Sequence, residues 1–354
     1  MKVLGIESSC DETAAAVVED GERLLSNVVA SSMDLHVKYG GVVPEIAARS
    51  HIEVVLPVIQ QALDEAKCTW DDIDAIAVTY GAGLGGSLLI GVLTARTLAI
   101  VHNKPLYAVN HVLAHVYANF LTNTSLPALR MRVTQPTFPM LAIIVSGGHS
   151  QLALFEDHFQ YQLLGQTQDD AIGEAFDKVA KMIGLPYPGG PSVAAAAESG
   201  DAHKYRLPKA KLDGRYDFSF SGLKTAVLRL AQAEIGESFA FPSTGLAERL
   251  TTTQKQDIAA SFQRIAIETI VDKAKLAFEE FAPTSVVIAG GVAASSELRR
   301  QLTAALPSLA IEYPDFKLCT DNGAMIATLG CFHMKTGQPV ADPYTLDINP
   351  NLSM

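Results

Sequence analysis

The sequence predicts an α/β fold of two lobes built by duplication, and three observations carry that expectation. A hairpin-like stretch of apolar run, small polar tip and apolar run occurs twice, at 2–19 ("KVLGIESSCDETAAAVVE") and at 140–156 ("MLAIIVSGGHSQLALFE"). The same order of candidate elements follows each copy. At 354 residues and 48% hydrophobic, the chain is long enough for two sizeable cores.

The elements follow in order. In the first half the hairpin leads to a third strand candidate, "RLLSNVVAS" (23–31), then to a helix at 44–66 and a strand at 74–81. A helix (87–102), a short strand ("PLYAVN") and a helix beginning at His111 come next. In the second half "QYQLLGQ" (160–166) is the third strand. A long helix (255–281), the strand "SVVIAGG" (285–291), a helix (296–305), a short strand ("LAIEYP") and a last helix (322–335) complete it. Both halves read βββαβαβα, with crossovers through helices. The expected division is a first lobe at 1–123, a linker at 124–139 and a second lobe at 140–354. That lobe carries an insertion at about 170–250, and the last helix can pack back on the first lobe. A ligand is expected in a cleft between the lobes, near the hairpin tips.

Composition narrows the function classes. Charged residues make up 18%, which excludes a disordered chain. Four cysteines, Cys10, Cys68, Cys319 and Cys331, form no CxxC pair and indicate a reducing compartment without a disulfide framework. The start has too short an apolar run for a signal peptide. The longest apolar helix candidate, "SLLIGVLTARTLAIV", carries Arg96 and falls short of the ~20 residues of a membrane span. A cytoplasmic protein with no membrane partner is expected. The net charge of −11 argues by itself against a nucleic-acid partner. "KYRLPKAK" (204–211), Arg130, Arg132, Arg299 and Arg300 are the candidates for a local basic face, although for any one cluster solvated surface is the plainer reading.

Glycine pairs mark candidate ligand loops. In "IVSGGHS" (144–150), Gly147 and Gly148 permit positive φ and close approach of amides to a phosphate, and Ser146 adds a hydroxyl. "IAGGVAASSELR" (288–299) is a strand–GG–helix element with Ser295 placed as N-cap, a common feature of nucleotide clefts. "YPGGPS" (187–192) is a third pair. "GAGLGGS" (81–87) resembles an anion-binding loop but lacks the P-loop lysine. Each alone is weak; together on one two-lobed frame they point to a nucleotide. Asp11 and Glu12 at the first tip, and Asp177 on a helix of the insertion, are carboxylates able to accept ribose hydroxyls or a proton.

"HVLAHV" (111–116) places two histidines one helical turn apart, behind Asn110 as N-cap. That spacing suits two nitrogens on one metal, but HxxxH alone is a loose motif. Val112 occupies the position of the general base in HExxH, which disfavours a zinc protease of that type. By the repeat, Asp321 in "CTDNGAMIATLG" begins the equivalent helix, so the two helix starts can meet across the cleft. A role for Asp321 as a simple N-cap is the alternative. Two His and one carboxylate with open positions form a catalytic set compatible with Fe(2+) or Zn(2+).

These blocks, "GIESSCDETAAAVV", "GGVVPEIAARSH", "NHVLAHV", "VSGGHS", "GEAFDKVAKMIGLPYPGGP", "FSFSGLKTAV", "AGGVAAS" and "CTDNGAMIA", resemble in order the universal tRNA threonylcarbamoyladenosine-forming transferases. The resemblance is to their bacterial branch, formerly named O-sialoglycoprotein endopeptidases. It implies a duplicated actin/hexokinase/Hsp70-like fold with an inter-lobe nucleotide cleft. It implies transfer of a threonylcarbamoyl group from threonylcarbamoyl-AMP to the exocyclic amine of the adenosine next to the anticodon, in tRNAs reading codons that begin with A. Carried over by motif, His111, His115 and Asp321 match the metal ligands, with one divalent ion per subunit, Fe(2+) or alternatively Zn(2+). Ile144, Val145, Ser146, Gly147 and Gly148 match the substrate loop, and Asp177 and Gly190 match further substrate contacts. Ser295 stands where the family commonly has Asn, and Ala82 where it has Pro. The implied partners are tRNA, an inactive paralogue subunit and a small P-loop ATPase subunit. The rival readings are a small-molecule kinase or ATPase of the same fold and a noncatalytic nucleotide-gated scaffold.

Overall fold

Strand, strand and strand again is what the first thirty residues require, because their apolar runs alternate with polar tips too short for helices. β1 (Lys2–Glu7), β2 (Glu12–Glu19) and β3 (Arg23–Ser31) form an antiparallel meander in the computed structural model, which describes residues 1–309 and 311–354. α1 (Met33–Val37) and α2 (Pro44–Ala66) follow. Pro44 sits in the first turn of α2, where its missing N–H costs nothing, and Lys67 closes the helix in the left-handed conformation. β4 (Ala75–Gly81), α3 (Gly85–His102), β5 (Leu106–Asn110), α4 (His111–Tyr117) and the short β6 (Asn123–Thr124) complete the first half.

The second half opens with β7 (Met140–Val145), β8 (Ser150–Asp157) and β9 (Gln160–Gln166). The insertion is helical: α5 (Ile172–Ile183), α6 (Gly189–Ala197), α7 (Ser221–Glu234) and α8 (Leu246–Arg249). α9 (Thr252–Phe281) starts at a capping box between Thr251 and Gln254. β10 (Ser285–Ala289), α10 (Ser296–Ala305) and α11 (Gly323–Lys335) end the series.

The duplication is visible in the sheets. One has the order β5-β4-β1-β2-β3-β6 and the other β10-β7-β8-β9. In each, the meander pairs antiparallel and its first strand pairs parallel with the strand after the long helix. The strand expected over 309–314 does not form among the described residues, and Ala310 lies outside them. The chain divides into two units, Met1–Pro136 with Glu312–Met354, and Thr137–Ile311. The described residues up to Pro136, and again from Glu312, thus belong to the first unit, including most of the stretch read as a linker.

In the first unit the meander is buried on both faces. Leu4, Ile6, Ala15 and Val17 join Val55, Ile59 and Val92 of α2 and α3 in one core cluster. The other face takes α11. A Cβ on Gly5 would lie 2.3 Å from Ala327 N, and one on Gly323 would lie 2.5 Å from Ala16 N, so only glycines admit this approach. α3 runs 18 residues, long and apolar enough by length and composition alone to cross a membrane yet short of the ~20 residues set for a span. Here Leu88, Val92, Ala95 and Ala99 of α3 are buried, and Arg96 donates to the carbonyls of Pro343, Tyr344 and Leu346.

Candidate functional site

The first unit holds a histidine–carboxylate cluster. Asn110 caps α4 by accepting from the Val112 and Leu113 amides, which fixes where the helix begins and so where His111 and His115 point. The rings lie 4.8 Å apart at 83°. Nε2 of His111 is 3.6 Å, and Nε2 of His115 3.1 Å, from Asp321 Oδ1. One donor atom from each residue falls within 4.8 Å of the others. Donors about 2.0–2.2 Å from one tetrahedral ion stand roughly 3–4 Å apart, so the two histidine–aspartate separations have the right size.

Asp321 is not the cap of α11; Asn322 is, accepting from the Met325 amide. The two helices meet within the first unit rather than across a cleft, because α11 is seated on β1 and β2. The chemistry of the donors fits an ion as well. Both ring nitrogens of His115 are buried without a hydrogen-bond partner, although Nε2 is close to Asp321. A contact at 3.1 Å without hydrogen-bond alignment is what two lone pairs aimed at a common point produce. On His111, Nδ1 is 3.2 Å from Glu7 Oε2 and 3.1 Å from Ser9 Oγ. A carboxylate only accepts, so Nδ1 carries the hydrogen and Nε2 is the ligand atom. Burial lowers the proton affinity of His111, but the carboxylates of Asp321 and Glu7 outweigh it and raise its pKa to about 9.

Glu7 and Ser9 are functional candidates that motif spacing missed. The signal was there: Glu7 is an acid at the end of a mostly apolar strand, and it is 0% exposed once folded. At the neighbouring tip, His51 is buried, with Nε2 at 2.9 Å from the Cys10 carbonyl and Nδ1 at 2.6 Å from Thr13 Oγ1. The carbonyl requires a hydrogen on Nε2, so Nδ1 accepts from Thr13, and one neutral ring pins the turn that carries Asp11 and Glu12. Burial, then the charges of Asp321 and Asp11, push the Glu12 carboxyl up to about 9.

The second unit holds a cavity of about 350 Å³. Gly147, Asp177, Gly190 and Ser295 line it, as do Phe176, Ala194, Gln263 and Val292. A Cβ on Gly147, Gly190 or Gly291 would meet nothing within 4 Å, so these walls are bare backbone. Ile144 and Val145 are buried strand residues, and neither they, Ser146 nor Gly148 line the cavity. Ser146 shapes the turn instead, exchanging bonds with His149 and accepting from the Gly173 amide. Neither Gly147 nor Gly148 uses the positive φ that glycine permits; Gly290 does, at 91°, where a Cβ would fall 2.5 Å from Val145 O. Asp177 Oδ1 accepts from the Gly189 amide at 2.6 Å, tying the third glycine pair to α5. Burial, helped by Glu174, pushes the Asp177 carboxyl up against that bond. Ser295 caps α10 by accepting from the Leu298 amide.

Two other sequence candidates are engaged within the protein. In "GAGLGGS", the Gly83 and Leu84 amides donate to the Pro350 and Ser9 carbonyls, which leaves them unable to cradle an anion. Among the basic candidates, Lys209 pairs with Glu268 and Asp272, Arg300 with Glu297, and Arg132 with Asn119 and the Glu312 carbonyl.

Comparison with known proteins adds the family. A family model described as TsaD, tRNA N6-adenosine threonylcarbamoyltransferase, matches residues 23–328. A protein of that name from Thermomicrobium roseum is 47% identical over 100% of this chain and 97% of its own length. Another from Symbiobacterium thermophilum is 50% identical over 95% of this chain and 92% of its own. Among solved structures, T. kodakarensis HypF is similar at a TM-score of 0.59 and 13% identity, over 95% of this chain and 48% of that one. The latter likeness concerns the fold alone. With the repeated sheet order, it bears out the duplicated actin/hexokinase/Hsp70-like α/β fold.

Proposed function

The chain belongs to the tRNA N6-adenosine threonylcarbamoyltransferase family of tRNA-modifying transferases, and on that premise we propose its substrates, donor groups and partners. The reaction moves a threonylcarbamoyl group from threonylcarbamoyl-AMP to the exocyclic amine of the adenosine next to the anticodon, in tRNAs reading codons that begin with A, and releases AMP. The observation that carries this reading is the His111–His115–Asp321 set, in which both histidines are buried and the ring nitrogens of His115 have no hydrogen-bond partner. A small-molecule kinase or a nucleotide-gated scaffold of the same fold has no use for it.

His111, His115 and Asp321 would hold one divalent ion, Fe(2+) or alternatively Zn(2+). Such an ion, when bound, supplies a Lewis acid for negative charge on a phosphate or carbonyl oxygen. Glu7 and Ser9 keep the His111 ring in one orientation and one tautomer. The adenylate is assigned to the cavity of the second unit. Its bare glycine walls admit a flat ligand, and Asp177 offers a carboxylate oxygen to ribose hydroxyls. As the amine nitrogen bonds to the carbonyl carbon, the bond to the phosphate oxygen breaks and the amine sheds a proton. Of the two tip carboxylates, Asp11 and Glu12, Asp11 is assigned to take it, because the raised pKa of Glu12 keeps that carboxyl protonated at neutral pH. An exocyclic adenine amine is a weak nucleophile, so positioning must supply much of the rate.

Partners follow from the surface. Ile52 and Leu56 on α2, and Leu89 and Leu93 on α3, are 41–62% exposed, each pair one helical turn apart. An apolar face of that kind supports docking of a second chain, assigned to the inactive paralogue. A small P-loop ATPase subunit completes the assembly, and with a net charge of −11 the tRNA needs basic surface from these partners. All four cysteines are free, which supports work in the reducing cytoplasm.

The test is nucleoside mass spectrometry of unmodified tRNA incubated with the protein, its partners and threonylcarbamoyl-AMP. Threonylcarbamoyladenosine is expected with the wild type and not with a folded His111→Ala variant. No product with the wild type, or normal turnover by His111→Ala, would sink the reading.

A further inference from the structure

We propose that Gln263 reads the edge of the purine held in the cavity of the second unit, an inference that rests on the adenylate reading above. Gln263 stands in the buried middle of α9, is 8% exposed and lines the cavity. Its Oε1 is buried and accepts no hydrogen bond. Native proteins pair nearly all such acceptors, and a carboxamide on a cavity wall can turn about its last torsion to take a donor from a ligand.

Two other polar side chains on the wall each have an oxygen engaged within the protein. Asp177 Oδ1 accepts from the Gly189 amide, and Ser295 Oγ accepts from the Leu298 amide as the cap of α10. Phe176, Ala194 and Val292 present apolar surface, which suits the faces of a base but not its edge. A carboxamide sets one acceptor beside one donor. Adenine presents the complement: the exocyclic amine donates and the neighbouring ring nitrogen accepts. Gln263 is thus a specificity residue for the base, while Asp177 serves the sugar.

The experiment uses the full chain as wild type and as Gln263→Met, which keeps side-chain length and volume while removing the polar atoms. Affinities are measured by titration calorimetry for AMP, for purine riboside 5′-monophosphate, which lacks the amine, and for ribose 5-phosphate. The wild type should bind AMP about tenfold tighter than the amine-free nucleotide, as expected for one buried hydrogen bond. Gln263→Met should bind the two purine nucleotides equally, bind ribose 5-phosphate like the wild type, and melt no lower, since an unpaired buried acceptor has been removed. A variant that keeps the wild-type preference for the amine overturns the inference. So does equal loss on all three probes with a lowered melting temperature, which would make Gln263 a fold support. A wild type that binds no AMP overturns the adenylate reading itself, and this inference with it.

Discussion

Glu7 is the acid that ends a mostly apolar strand, and it governs how His111 presents itself. Its Oε1 accepts from the Ser9 amide at 2.5 Å, and its Oε2 from Thr79 Oγ1 at 2.5 Å. Burial alone would push its carboxyl up; the charge and hydrogen bond of His111 outweigh that and hold it below the usual range. A ligand histidine whose second nitrogen is fixed by a carboxylate is better oriented and more basic. Glu7→Gln keeps the shape and removes the charge. It should weaken zinc binding by about 10–100-fold with the circular dichroism unchanged, as measured by competition with a chromophoric chelator. Unchanged affinity would remove Glu7 from the centre. The histidine pair was legible from its spacing. The role of Glu7 was not, because nothing in a linear pattern says that residue 7 ends up beside residue 111.

α11 shows how an element places a side chain. Its order in the repeat predicted the helix, and "TDNG" predicted a capped start, yet the capping residue is Asn322, one position after the ligand. The helix comes close enough to bring Asp321 to α4 because Gly5 and Gly323 have no side chain. A Cβ on Gly5 would meet backbone at 2.3 and 2.5 Å, and backbone cannot rotate away. Gly5→Ala should therefore lower the unfolding free energy by about 1–3 kcal/mol, read from urea denaturation at pH 7. A neutral result would mean that α11 is not seated on β1 as described.

Acid sensitivity is a property of the chain as one titrating body. His333, in the last turn of α11, has its pKa pushed down to about 4 by burial. Between that value and about 6.5, the unfolded chain binds a proton that the folded chain does not, so stability falls as pH drops through this window. The loss attributable to His333 is on the order of 2 kcal/mol by pH 5. Urea denaturation at pH 7 and pH 5 should show that His333→Gln is less acid-sensitive by about this amount. Equal slopes in the two proteins would show that the ring is solvated. The fold was legible because duplication writes the same order of apolar runs twice; β3, α2, β9 and α10 begin and end where the periodicity put them. The strand expected over 309–314 does not form among the described residues, and Ala310 lies outside them.

By itself the sequence determined the duplicated α/β order, the HxxxH pair, the glycine turns and the family to which such blocks belong. These are local signals, set by periodicity, capping and turn chemistry within a few residues. Only the tertiary structure decided that Asp321 joins the histidines inside one unit, that Glu7 stands behind His111, and that Gln263 lines a cavity with a buried acceptor left unpaired. Those facts depend on which backbones approach closely and which buried polar atoms find partners. Both are settled by packing between residues hundreds of positions apart.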